Sequence, residues 1–307
     1  MHVLLIGSDN PVGNALQGAF SQWGRHHATT LTAAASRWRS ERQAKKVVRK
    51  GAPDVIVDLR LAWTVASGAV PGPDDIDRTH WLAKASERSG MCYVLLSSDC
   101  VFSGQGSRSL RESDAPDARR EPGLQLMDAE ERVMAASESA IVLRTGPLFA
   151  AFDQNMLTSL LAGLGHSSPG VFDDRDVFCP VASIDIARVL AAMLDQLGVG
   201  ADARGVFHYC SGDRATAYGF AEAVLAAAGQ YHDLGEAAIT AAEHPLANTL
   251  QDVSEHAESV RPATRVLDCS RLRDSFAIKQ VPWRGFINPL VKQFYQVLEE
   301  DTRTEPS

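Results

Sequence analysis

The chain has 307 residues, 45% of them apolar and 22% charged, with a formal net charge of −8; that is enough to bury one large or two modest cores without disulfide staples. The acidic balance argues against nucleic acid as a main partner, since phosphate binding needs a basic face, and no run approaches the length of a membrane span, so no membrane is expected either. Five scattered cysteines (Cys92, Cys100, Cys179, Cys210 and Cys269), with no Cys-x-x-Cys pair or Cys/His cluster, read as reduced, partly buried small residues of a cytoplasmic protein and give no metal site.

In chain order, HVLLIG is a short continuous apolar run, as expected for a strand buried on both faces of a parallel sheet. GNALQGAFSQWG follows at helical spacing. A strand is expected near His27 to Leu31, then a basic, solvated helix. PDVIVDL is a clear strand, GAVPGPDDIDR reads as a loop, and WLAKASERSG reads as a helix ending on glycine. MCYVLLSS and AIVLRTG are further strands. The alternation predicts an α/β fold: a Rossmann-like, doubly wound parallel sheet with a smaller C-terminal α/β lobe. Residues 1–150, with a returning segment at about 171–198, are expected to form the dinucleotide-binding type of domain. About 151–170 and 199–300 are expected to form the substrate lobe, and 301–307 a polar tail.

The turn GSDNPVG joins the first strand to the first helix. Such a turn can present backbone N–H groups and a helix N-terminus to a pyrophosphate, with glycines allowing close approach. Gly7 and Gly13 are in place, flanking Pro11 and Val12, but the middle position is Asn10. Asparagine tolerates left-handed dihedrals, so the turn is expected to form, with added bulk near the phosphates. Any tight βα turn also wants glycine. Beyond the second strand no acidic residue is placed for a ribose. Arg37 and Arg39 stand there instead, which suits a 2′-phosphate and hence NADPH over NADH; the plainer reading is an exposed basic helix start.

The order of pieces resembles the extended short-chain dehydrogenase/reductases, and within them the dTDP-4-dehydrorhamnose reductase family, over nearly the whole chain. VLLSSDCVFSG is similar to that family's Ser-Thr-Asp-Tyr-Val-Phe-x-Gly turn, and RESDAP to its acidic loop. IVLRTGPLFA, VFDDRDVFCPVASIDIARVL, GVFHYCSGDRATAYGFAEAV and RPATRVLDCSRLRDSFAI match later segments in order. The resemblance implies NADPH-dependent reduction of a 4-keto sugar nucleotide by a Ser or Thr, a Tyr and a Lys. The hydroxyl position falls on Ser98, but the Tyr and Lys positions fall on Pro122 and Leu126. Proline has no proton to donate and leucine no charge for the nicotinamide ribose. Losing a positioned acid costs about 10²–10⁴ in rate. Leu59 and Arg60 replace small residues of the cofactor wall, and Pro147 replaces a substrate-facing Trp; Asp99, Cys100 and Asn155 fall on the substrate side. The implied cofactor, NADPH, would be held weakly.

Two functions follow. One is a degenerate family member acting through a nucleotide, a sugar nucleotide, another small molecule or a protein partner. The precedent is the regulatory subunit of methionine adenosyltransferase, which has this fold. The other is an active NAD(P)H-dependent reductase or epimerase with a relocated proton donor, for which Tyr93, Glu121, Asp99, Cys100 and His80 are the candidates. A homodimer through the helix that starts near Gly123, with Leu124, Met127, Val133 and Met134 as a packing stripe, is implied by the resemblance. His208, Arg144 and Trp283 read as structural.

Overall fold

The computed structural model describes residues 1–164, 170–234, 239–241 and 263–304. Arg261 and Pro262 of the closing segment, and 305–307 of the tail, lie outside the described residues. The first half runs β1 (His2–Ile6), α1 (Pro11–Trp23), β2 (His27–Leu31), α2 (Glu41–Gly51), β3 (Val55–Asp58), α3 (Arg60–Ala66), α4 (Pro73–Glu87), β4 (Cys92–Ser98), α5 (Gly123–Ala136) and β5 (Ile141–Thr145). The second half runs β6 (Leu148–Phe149), α6 (Met156–Gly163), β7 (Gly170–Phe172), β8 (Val177–Phe178), β9 (Val181–Ala182), α7 (Ser183–Gly198), β10 (Gly205–Tyr209), α8 (Ala217–Ala228), β11 (Ile239–Ala241), β12 (Thr264–Arg265), α9 (Ser270–Phe276) and α10 (Arg284–Thr304).

Six parallel strands form the main sheet in the order β10-β5-β4-β3-β1-β2. The central runs are apolar throughout because helices cover both faces: α1 and α7 pack together on one side, α2, α4 and α5 on the other. β1 sits between β2 and β3, so the chain leaves it first to one side and then to the other. That reversal opens a crevice beyond the carboxyl ends of β1 and β3, where ligands of doubly wound sheets bind. A second apolar cluster, built from α6, α8 and α10 with Phe149, Phe220 and Trp283, forms beside the sheet.

Three expectations change. GAVPGPDDIDR is not all loop: α4 begins at Pro73, with proline in its first turn and Asp74 and Asp75 complementing the helix dipole. The segment after β3, for which no element was expected, is a short helix, α3. The 199–300 stretch does not lie wholly in the lobe, since β10 is the sixth strand of the main sheet and α9 packs on it. The stripe on α5 is also different. Leu126, Ala129, Glu130 and Val133 face inward at spacings of three and four, while Leu124 (43%) and Met134 (36%) are exposed.

Candidate functional site

The Gly7–Gly13 turn forms, but not as its composition suggests. Gly7 takes φ +75°, the left-handed region, and its N–H donates to Leu31 O at 2.8 Å. Asn10 instead has extended backbone (φ −89°, ψ 165°) and is the N-cap of α1, its Oδ1 accepting from Gly13 N at 2.9 Å. Asparagine is a preferred residue for that task. Pro11 brings no N–H, and Asn14 N donates to Asn10 O. The first turn of α1 therefore has little left for a pyrophosphate. Gly13 is required by packing alone, since a Cβ there would lie 2.7 Å from the Ser8 backbone.

Across the crevice, Arg60 leans over this turn; a Cβ on Gly7 would meet Arg60 Cγ at 3.2 Å and Asn10 Nδ2 at 3.3 Å. The guanidinium is buried and paired with Asp58, through Nε–Oδ1 at 2.9 Å and Nη2–Oδ2 at 2.6 Å, and Nη2 reaches Thr79 Oγ1 at 3.3 Å. Tyr93 Oη donates to Asp58 Oδ2 at 2.8 Å. Burial works against the Arg60 charge, but the Asp58 carboxylate outweighs it and holds the pKa up; burial, then Asp58, pushes the Tyr93 phenol far up. Tyr93 is thus tied into a core network, not offered as an acid. Asp153, on the loop between β6 and α6, lies in the left-handed region at φ +59°. Its pKa is raised by partial burial and by the charge of Asp9 on the glycine turn. Arg37 and Arg39 are exposed on the loop between β2 and α2, while Trp38 between them is buried. Leu59 is a core residue at the start of α3 and does not face the crevice. Asn10 and the Arg60–Asp58 pair thus add side-chain bulk around the turn that a pyrophosphate would approach.

Beyond β4 and β5 a cavity of about 150 Å³ remains, lined in part by Ser98, Asp99, Cys100, Thr145 and Pro147. The chain thus brings together most of the expected substrate-side positions. Ser98 Oγ donates to Asp99 Oδ1 at 3.1 Å and accepts from Cys100 N at 3.3 Å, so its proton is already committed. Asp99 is fully buried; burial raises its pKa, opposed by the charge of Arg265. Asp99 Oδ2 and Thr145 Oγ1 are buried and have no hydrogen-bond partner among the described residues. Cys100 is pushed up by burial and by Asp99. Neither Pro122 nor Leu126 lines the cavity. Pro122 caps α5, and Leu126 is 0% exposed within the main core. Gly123 is retained because a Cβ there would run into Cys100 O and Ala118. Asn155 is not on the cavity wall either: its amide caps α6 and holds the Ala150, Phe152 and Asp153 carbonyls. Glu121 and His80 are surface residues, hydrogen-bonded to Gln125 Nε2 and Arg132 O respectively. Thr145 was missed by sequence reasoning. It pairs in register with Ser98 on the neighbouring strand, and a polar residue at a strand's carboxyl end is the sign that points to it.

The sheet order and the crevice at its reversal define a Rossmann-like, doubly wound α/β protein. The model of the RmlD substrate binding domain family matches residues 1–296, and the chain belongs to that family. It is 22% identical over 288 residues to the dTDP-4-dehydrorhamnose reductase of Aggregatibacter actinomycetemcomitans, covering 92% of this chain and 95% of that one. It is 25% identical over 208 residues to methionine adenosyltransferase 2 subunit beta of Danio rerio, covering 66% of this chain and 60% of that one. Among solved structures it resembles dTDP-4-dehydrorhamnose reductase from Bacillus anthracis in complex with NADP, with a TM-score of 0.72 at 15% identity, covering 95% of this chain and 98% of that one. Among the described residues no group of three or more His, Cys, Asp and Glu is placed to hold a metal ion, and no helix is long and apolar enough to cross a membrane.

Proposed function

We propose that this chain is a catalytically silent member of the sugar-nucleotide reductase family, acting by binding a small molecule or a protein partner instead of transferring hydride. What carries this reading is the pair Pro122 and Leu126, which by resemblance fall at the family's Tyr and Lys positions, together with the burial of Leu126 in the core. The crevice supports it: Asn10 occupies the Gly13 N–H, and Arg60 covers Gly7. Similarity to a methionine adenosyltransferase subunit supports action through a partner.

The test is calorimetric titration with NADPH, NADP, NADH and NAD, followed by an NADPH-oxidation assay with 4-keto sugar nucleotides. No binding and no turnover are expected. Sustained oxidation that Ser98→Ala abolishes would sink the proposal. A second reading, a working reductase with a relocated acid, draws on Asp99, the buried carboxyl that shares a cavity with Ser98. It requires turnover that Asp99→Asn removes.

A further inference from the structure

We infer that the outer face of α2 is a docking surface for a short acidic segment of a protein partner. The cations of α2 belong to neither the glycine turn nor the Ser98 cavity, so the inference stands whether or not the chain oxidises NADPH.

Charge on this chain is strongly segregated. Residues 37–50 hold seven of the 30 Lys and Arg but one of the 38 Asp and Glu, a net +6, so the remaining residues carry −14. Five of the seven are on α2 itself. Arg42, Lys45, Lys46, Arg49 and Lys50 are all exposed, while Ala44 and Val48 anchor the opposite face in the core. Arg37 and Arg39 extend the same charge onto the preceding loop. The single acid, Glu41, does not neutralise them, because it accepts from Lys84 Nζ at 3.1 Å and from Arg88 Nη1 at 2.6 Å, both from α4 and its end. None of the seven side chains has an acidic partner among the described residues.

This arrangement works against the helix. Arg42 and Lys46, Lys45 and Arg49, and Lys46 and Lys50 stand four residues apart, where like charges repel across one turn. Arg42 also lies in the first turn, at the positive end of the helix dipole. A face that only meets water needs polarity, which Glu or Gln at some of these positions would give without the repulsion. A partner that brings carboxylates relieves the repulsion on binding.

Size and surface select the partner. With 11 residues, α2 is about 16 Å long. A nucleic-acid duplex or a bilayer reaches past it by more than the screening length of about 8 Å, and its phosphates then meet the acidic remainder. A segment of a few Asp and Glu stays on the patch. The face also has no exposed aromatic or large apolar side chain, so it has nothing to stack on a base or to enter a bilayer.

Fluorescence anisotropy of a labelled hexaglutamate peptide, titrated with the full chain, tests this. Wild type is expected to bind the peptide at low salt and to lose affinity as salt screens the charges. The α2 variant Lys45→Gln, Lys46→Gln, Arg49→Gln should bind about tenfold more weakly, the loss of three exposed charge pairs. Free of peptide, it should melt at or above the wild-type temperature, because repulsion along α2 is removed. A purely structural face would instead melt lower and leave peptide binding unchanged. Removing the same charge elsewhere, with Arg214→Gln, Lys279→Gln, Lys292→Gln, should leave peptide binding unchanged. The proposal is overturned if folded wild type does not bind the peptide, or if both triple variants weaken it equally, since net charge alone would then be responsible. It is also overturned if a short DNA duplex or a phosphatidylserine vesicle binds through α2 tenfold or more tightly than the peptide. Oligomers of wild type that the α2 variant dissolves would overturn it too, because a second copy would then be the occupant. NADPH oxidation, by contrast, bears on the silent-enzyme reading alone, so the two failures are told apart.

Discussion

Glu130 lies one turn beyond Leu126 on α5 and is buried against Arg144 of β5, with Arg144 Nη2 donating to Oε2 at 2.6 Å. Ser97 Oγ also donates to Glu130, so the chain ahead of Ser98 is pinned by this pair. Removing one partner of a buried pair leaves an uncompensated charge and costs about 3–5 kcal/mol. Arg144→Met should therefore lower stability by about that amount in urea unfolding. His208 extends the network: Nδ1 faces Leu110 O at 3.1 Å and Nε2 faces Arg144 Nη1 at 3.4 Å, which assigns the neutral ring with its proton on Nδ1. Burial, then the Arg144 charge, pushes its pKa down from 6.5 to about 3. Between those values the unfolded chain binds a proton that the folded chain refuses. The stability contribution is whole above pH 6.5 and falls by about 1.4 kcal/mol per pH unit below it. Urea titrations between pH 7 and 4 should show His208→Gln with a shallower slope by that amount; equal slopes would mean that His208 protonates in the folded state. His208 and Arg144 were legible as structural from their strands. The Asp58–Arg60–Tyr93 network was not, because nothing in DLRLAW says which way a single arginine turns.

At the scale of the element, the βα turn after β1 separates what a glycine pattern can tell from what it cannot. Strands β1, β3, β4 and β5 were legible because burial on both faces demands unbroken apolar runs. The start of α4 was not: proline and aspartate serve loops and helix N-termini alike, and only the fold decides which. Asn10 repeats that ambiguity, since the side chain that tolerates left-handed dihedrals is also a good N-cap. If Asn10 and Arg60 are what close the crevice, removing them should reopen it. Asn10→Gly alone should cost only a few tenths of a kcal/mol. Arg60→Ala alone should cost about 3–5 kcal/mol by stranding Asp58, and adding Asp58→Asn should recover most of that loss. The triple variant Asn10→Gly, Asp58→Asn, Arg60→Ala is expected to bind NADPH at least about tenfold more tightly than wild type by calorimetry, a gain of about 1.4 kcal/mol. A folded triple variant that binds no better would move the block to Leu126, where the family's ribose-holding cation is missing.

For the molecule as a whole, the strand-and-helix alternation of the first half and the family were legible, whereas the division of the second half was not. β10 returns to the main sheet after α7, and α8 then departs for the second apolar cluster; two cores drawing alternately on one stretch leave no mark on local periodicity. The same packing governs the cysteines. Among them Cys179, Cys210 and Cys269 are buried, and the Cys210 and Cys269 sulfurs lie 3.8 Å apart without a bond. Burial pushes Cys92 up to about 12. Cys179 is pushed up by Cys210 and by burial, and Cys210, though eased by Cys179, is driven well up by Cys269 and by burial. The thiolate is the reactive form, and each unit of upward shift removes tenfold of it. In native protein at pH 8, Cys92, Cys179 and Cys210 should therefore react with a thiol reagent at least about 100-fold more slowly than in urea, and Cys100 more slowly than in urea, where all five cysteines should label. Mass-resolved labelling measures this site by site. Cys100 is the informative position, because it lines the cavity beside Asp99. Slow labelling of Cys100 fits a thiol held back by burial and by Asp99 on the cavity floor. Labelling within seconds, with the other three protected, would mean that this floor opens on its own while the two cores stay packed.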